Sequence, residues 1–370
     1  MIRKYFALST NIFKVMCVAT AFFMVGFWAL KFYRNEDVSA IEYISYDSHR
    51  DIAYPELSIC FMRPYVYQNL SAHSDGNVSP DEYDGYLHGD TKLLEKYAKI
   101  HFNNVTLNLI EYFKYAELLM RNGTTLKCES LEVCQYVRFK NNFNGFISRI
   151  TSRCFGLSII LKTAGDAEAI YLSFRRELIF MLEKIRENDF GSTILLLNYP
   201  GQIIQNFGLF ETIWKTQNDS IGVISIKATS MEILRRRNKK RDPCFVDWMR
   251  LDDAILKKHH DTVGCRPPYH RSGKPVCTSN AEIKDSVYEM SELGTKYYPA
   301  PCEEMSNIAF KANYLQGSDW MQSLIFYFEY PTKAKVIHQM RSVDLHSLIG
   351  NIGGYIGLFL GKKIIFHKKM

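Results

Sequence analysis

The stretch Leu348-Ile349-Gly350-Asn351-Ile352-Gly353-Gly354-Tyr355-Ile356-Gly357-Leu358-Phe359-Leu360-Gly361 decides how this chain is read. It carries no charged side chain, and five of its fourteen residues are glycine. Small residues let helices approach closely in lipid, where no hydrophobic drive brings them together. At about 1.5 Å per residue, a helix of that length reaches roughly 21 Å, short of the ~30 Å hydrocarbon core of a bilayer. Lys362 and Lys363 then interrupt the run, and Ile364-Ile365-Phe366 precede the basic end His367-Lys368-Lys369. A lysine at bilayer depth costs about 2.5–3.5 kcal/mol on insertion scales. The stretch therefore reads as the start of a membrane segment whose second half is incomplete.

A second charge-free run, Val15 to Leu30, lies near the other end of the chain. As a helix it spans about 24 Å. Lys14 and Lys31 can extend it by snorkelling, which brings in Ile12-Phe13 and Phe32-Tyr33. Arg3, Lys4 and Lys14 precede it, which predicts a cytoplasmic N-terminus. The alternative is a cleaved signal peptide. Ala19-Thr20-Ala21 resembles a cleavage site, but the apolar run continues past it, so the reading is a retained span.

Between the two runs, hydrophobic residues are plentiful enough for a sizeable core, at 47% of the whole chain. Nine cysteines are present, with Cys17 inside the first apolar run. The other eight, Cys60, Cys128, Cys134, Cys154, Cys244, Cys265, Cys277 and Cys302, suit disulfides in an oxidising compartment. Eight cysteines allow about 105 pairings, so the residues alone leave the connectivity open. Asn-x-Ser/Thr sequons at Asn69, Asn77, Asn104, Asn122 and Asn218 point to the same compartment. No Cys-x-x-Cys pair occurs and His259-His260 are neighbours, so neither a metal nor a cofactor is expected. The net charge of +7 owes much to Arg235-Arg236-Arg237-Asn238-Lys239-Lys240-Arg241. That run reads as a solvated loop or helix end; nucleic acid is not an expected partner, and no Arg-x-x-Arg spacing marks it for cleavage.

Period-two alternation predicts strands. Ile224, Ile226 and Ala228 alternate with Ser225, Lys227 and Thr229, and Leu324, Phe326, Phe328 and Tyr330 alternate with the residues between them. Gly156–Leu161 and Thr193–Asn198 are compact apolar runs that suit buried strands. Helices are expected in two patches of Thr91–Met120, one around Leu93, Leu94 and Tyr97, the other around Ile110, Phe113, Glu117 and Leu118. Another is expected after Asp242-Pro243, a suitable N-cap and first turn. Its apolar face would be Phe245, Trp248, Leu251 and Ile255, and Gly264 would stop it. The segment Gly264–Pro301 reads as loop, and the class is α+β.

Four motifs now fall in order. Tyr54-Pro55-Glu56-Leu57-Ser58-Ile59-Cys60 follows the first span, and Val263-Gly264-Cys265-Arg266-Pro267-Pro268-Tyr269 and Tyr298-Pro299-Ala300-Pro301-Cys302 bound a cysteine-rich segment. The glycine-rich stretch closes the series. In this order they resemble the degenerin/epithelial sodium channel family, which includes acid-sensing and peptide-gated channels. The resemblance covers residues ~15–361 and implies a homo- or hetero-trimer with related subunits, two spans each, at the plasma membrane. It implies a cytoplasmic stretch over 1–14, a span over 15–33 and an extracellular domain over 34–344 with palm sheet, knuckle, finger and thumb helices. The thumb and cysteine-rich part would cover about 242–302, the second segment would start over 345–361, and 362–370 would form a basic tail. It also implies the disulfides Cys60–Cys154 and Cys128–Cys134, with Cys244–Cys302 and Cys265–Cys277 in the thumb.

The implied activity is sodium conduction of the amiloride-sensitive type, gated through the ectodomain, with lipid as the surrounding solvent. Gly350 and Asn351 match the outer pore and gate, with Gly353, Gly354, Gly357 and Gly361 along the same segment. The family's filter is a Gly-x-Ser-like triplet; here it is Gly361-Lys362-Lys363. In a trimer, up to six lysines would crowd the constriction, and rings of lysine suit anions rather than sodium. The family's cytosolic His-Gly motif is missing as well. A non-conducting subunit is thus one form of this reading. Two other classes compete. One is a type II membrane enzyme such as a glycosyltransferase, for which no Asp-x-Asp triplet occurs. The other is a single-span receptor or adhesion protein, which gives the glycine-rich end no role.

Overall fold

The computed structural model describes residues 2–45, 54–72, 78–90, 97, 100–132, 134–147, 150–160, 167–186, 193–198, 210–212, 221–245, 261–270, 274–296, 300–316 and 323–360. They form two units, Met1–Ile41 with Ile337–Met370, and Glu42–Val336. In chain order the elements begin with helix α1 (Ile2–Arg34), strands β1 (Asp37–Ser45) and β2 (Glu56–Met62), and helices α2 (Tyr67–Ala72), α3 (Pro80–Leu87) and α4 (Phe102–Val105). Strands β3 (Phe113–Met120), β4 (Thr125–Cys128), β5 (Val137–Ile147), β6 (Ile150–Ile159) and β7 (Ala167–Arg175) follow, then helix α5 (Glu177–Arg186). Next come β8 (Thr193–Asn198), β9 (Phe210–Thr212), β10 (Ile221–Arg235) and helix α6 (Asn280–Lys296). The series ends with β11 (Glu303–Gln316), β12 (Ser323–Glu329), β13 (Lys333–Arg341) and helix α7 (Leu345–Leu360).

Alternation builds the larger sheet, of order β1-β13-β10-β12-β7-β3-β4 with β11 also on β10. Along β12 every second residue is buried, and Leu324, Phe326 and Phe328 face the core with Ile224, Ile226 and Ala228 of β10. The smaller sheet has the order β5-β6-β2-β8-β9. Its central strand β2 is buried on both faces, which is why Leu57-Ser58-Ile59-Cys60 reads as a continuous run rather than an alternating one. Leu57, Ile59 and Phe61 join the main core, while Cys60 and Met62 pack with Ile194 and Leu196 on the opposite face. Aromatic rings tie the two sheets together: Phe139 of β5 lies 5.9 Å from Phe174 of β7, which lies 5.7 Å from Phe326 of β12. The β domain is thus large, strand-rich and braced by disulfides.

Three expectations need correction. The helix expected around Phe113 and Leu118 is instead β3, preceded by a 3₁₀ turn at Leu109–Tyr112. Its apolar residues fit both periods over so short a run, and pairing decided the outcome: Ala116 sits opposite Leu172 and Leu118 opposite Ile170. Leu93 and Leu94 lie outside the described residues. The helix expected from Asp242-Pro243 does not begin there. Phe245 bridges Pro301, its N–H donating to Ala300 O at 2.9 Å and its carbonyl accepting from Cys302 N–H at 2.9 Å. Trp248, Leu251 and Ile255 lie outside the described residues, while 261–263 are helical and Gly264 follows at φ +81°. That left-handed conformation favours glycine just after a helix.

The third correction is α6, inside the segment read as loop. Its start is a capping box. The Glu282 N–H donates to Ser279 Oγ at 3.2 Å, and Glu282 Oε2 accepts from the N–H groups of Thr278 and Ser279 at 2.9 and 3.0 Å. The Thr278 N–H, then that of Ser279 and its hydroxyl, hold the carboxyl below the usual glutamate pKa. A depressed folded-state pKa contributes stability above the unfolded value and loses it as pH falls through the folded value. The first turn of α6 is therefore expected to hold at neutral pH and loosen only below about pH 4. Amide exchange at Ser279–Ile283, compared at about pH 6 and about pH 3 after correction for intrinsic rates, checks this; Glu282→Gln should remove most of the difference.

Candidate functional site

Four disulfides fix the loops of the β domain: Cys60–Cys154, Cys128–Cys134, Cys244–Cys302 and Cys265–Cys277. They are the pairs that the resemblance implies. Cys60 and Cys154 are direct cross-strand partners in the β2–β6 register. Among the sequon asparagines, Asn69, Asn104 and Asn122 are exposed, while Asn77 and Asn218 lie outside the described residues. In the tight turn after β3, Asn122 Oδ1 accepts from the Thr124 N–H at 2.9 Å and the Thr124 hydroxyl at 2.7 Å.

The helical unit holds the residues proposed for a pore. Over Val15–Arg34, α1 is long and apolar enough to cross a membrane, the one such helix among the described residues. Large apolar side chains cover its outside, with Phe22 at 75% and Phe23 at 72% exposure. Helix α7 covers sixteen residues, Leu345–Leu360, up to the edge of the described residues. Asp344 caps it, its carboxylate accepting from the Ser347 N–H at 2.6 Å. The two helices pack on each other, and Trp28 Nε1 lies 3.4 Å from the Tyr355 hydroxyl. Near the end of α1, the Arg341 guanidinium donates to Phe32 O at 2.6 Å and stacks on the Phe32 ring at 3.6 Å. The Ser342 N–H donates to Glu36 O at 2.9 Å.

The helical period sorts α7 into two faces. Leu348, Ile352 and Tyr355 are half-buried on one face, where Tyr355 marks the side that meets α1, and Asn351 is half-buried at its edge. Gly350, Gly353, Gly354 and Gly357 recur at 3–4 spacing on the other side and are exposed. Among the described residues, and apart from the helix's own adjoining turns, a Cβ added at any of them would meet nothing within 4 Å. Asn351 falls on the flank between these faces rather than in the glycine stripe. Gly361, Lys362 and Lys363 lie outside the described residues.

The sequence reading missed a buried polar cluster in the β domain. Asp84 of α3 is buried, and it accepts from the hydroxyls of Tyr65 and Thr151 while pairing with Arg63 Nε at 2.9 Å. Arg63 also reaches Asp81 at 2.8 Å, from a backbone held at φ +46°. Tyr65 packs edge-on against Tyr83, and Tyr83, Tyr86 and Tyr97 continue as a cluster of neighbouring rings. Burial, then the Asp84 charge, raises the Tyr65 pKa well above its usual value; burial pushes Tyr86 up to about 12. The signal that could have located α3 is Ser79-Pro80-Asp81-Glu82: an N-cap serine, proline in the first turn and two acids after it. Asp84→Ala strands two hydroxyls and removes one partner of Arg63, so a loss of about 3 kcal/mol is expected. Asp84→Asn should lose less, because it keeps an acceptor. Denaturant midpoints of the two variants check the order.

No protein-family model matches the chain, and no curated protein matches it. Among solved structures, a cryo-EM structure of a proton-activated chloride channel is similar over 98% of this chain and 96% of that one. Identity is 9% and the TM-score 0.26, and at that score the likeness carries no argument for fold or function.

Proposed function

We propose that the chain is a subunit of an oligomeric membrane ion channel at the plasma membrane, of the degenerin/epithelial type that its motifs resemble, with a transport rather than a catalytic role. The observation that carries this reading is the sorting of α7: one face packs beside α1, and the opposite face is a bare glycine stripe. Such a stripe suits close approach of identical helices in lipid. The exposed apolar surface of α1 supports a membrane location, and the four disulfides support an extracellular β domain.

In this reading three copies surround one ion path, with sodium as the permeant ion. Lys362 and Lys363 at the filter position oppose sodium entry. The chain therefore conducts poorly alone and acts by joining related subunits. Cysteine cross-linking in intact membranes tests the geometry: Gly353→Cys should give oxidised oligomers, and Leu348→Cys should give few. Surface current tests the activity: the chain alone should give little amiloride-sensitive sodium current and should change the current of a complete related subunit. Monomeric behaviour in detergent, with no cross-link at Gly353→Cys, would overturn the proposal.

A further inference from the structure

The six cations of the run Arg235–Arg241 divide into two sets in the folded β domain. Arg235 and Arg236 turn back onto β11, where Arg235 lies 3.3 Å from Glu303 and Arg236 pairs with Glu304. The remainder belong to a loop: Lys240 and Arg241 are exposed, and Arg237 and Lys239 are half-buried. From Arg235 to Cys244 the sequence holds six cations and one carboxylate, Asp242, so the segment stays strongly basic even with Glu303 and Glu304 paired to Arg235 and Arg236.

This loop is held in shape. The Cys244–Cys302 disulfide closes its base. The Arg236 N–H donates to Cys302 O at 2.6 Å, the Lys239 N–H to Asp242 O at 3.3 Å, and the Cys244 N–H to Asn238 Oδ1 at 3.4 Å. A partner that binds such a loop has less backbone disorder to remove than on a flexible tail. Clustered cations attract polyanions, and their field strengthens when several act on one chain of charges. The disulfides place the loop in an oxidising compartment. There the dense polyanions are sulfated polysaccharides, and short Lys/Arg-rich runs are a known pattern for heparin-like chains.

We propose that residues 236–244 form a docking surface for a sulfated polysaccharide of the cell surface or matrix. The proposal rests on the extracellular placement given above and not on ion conduction. The test is retention of the full chain, in detergent micelles, on immobilised heparin at roughly 0.15 M salt. The triple variant Lys239→Ala/Lys240→Ala/Arg241→Ala should bind about 10- to 30-fold more weakly and with a flatter salt dependence, while melting at the wild-type temperature. Replacing Lys311 and Lys333, two exposed lysines elsewhere, should change little. Hyaluronan, which carries carboxylates but no sulfate, should bind much less.

Equal retention of the triple variant would overturn the proposal. So would equally tight capture of the protein, through the same lysines, by single-stranded RNA or phosphatidylserine vesicles. Heparin retention without current would fault the channel reading alone, and current without heparin retention would fault this one alone.

Discussion

Replacing Cys60 and Cys154 together by alanine is expected to remove about 4–5 kcal/mol of stability, enough to leave the β domain largely unfolded at body temperature. The pair is separated by 94 residues, and the chain entropy restored to the unfolded state grows with the logarithm of the loop. Alanine is the appropriate replacement because both cysteines are fully buried, and serine would add hydroxyls to an apolar face. The same change at Cys128 and Cys134, separated by 6 residues, should cost about 2 kcal/mol. Thermal melts and protease resistance of the two double variants check the order. A smaller loss for the long loop than for the short one would mean that β2–β6 pairing, and not the cross-link, holds the smaller sheet.

Gly89→Ala is expected to be nearly as damaging, at about 3 kcal/mol. Gly89 sits at φ +75°, where an L side chain is strained, and a Cβ there would lie 2.6 Å from Asn280 O and 3.0 Å from Lys284 N. Both are backbone atoms of α6, which a rotamer change cannot move aside. The neighbouring Asp90–Lys284 contact at 2.9 Å would be displaced as well. Gly123→Ala is the control: φ is +82° but no atom lies within 4 Å of the added Cβ, so only the conformational cost of about 1–2 kcal/mol applies. Denaturation of the two variants separates close packing from backbone strain. Equal losses would mean that α6 shifts freely away from the Gly89 turn.

Much of the strand structure was legible because burial writes a period-two pattern. Ile224, Ile226 and Ala228, and Leu324, Phe326 and Phe328, point into the core as their alternation predicts. β3 was misread because Phe113, Glu117 and Leu118 satisfy a helical period over one turn, and only the facing residues of β7 decide between the two. α6 was hidden by the prolines and cysteines before it, although Ser279 and Glu282 carry a capping box in plain sequence. The Asp84 cluster was not legible at all. Its members come from three separate segments, Arg63 with Tyr65, Asp84 and Thr151, and no spacing rule links them.

For the candidate site, the sequence by itself determined composition: a charge-free helix near one end, a glycine-rich apolar segment near the other, and eight cysteines between them. Those follow from side-chain chemistry, which is local. Only the tertiary structure decided which cysteines join and which face of α7 packs on α1. It also decided that the glycines lie on the exposed side while Asn351 sits on the flank. Each of these depends on distances between residues far apart in the chain, and a linear pattern carries no such distance until the backbone closes on itself.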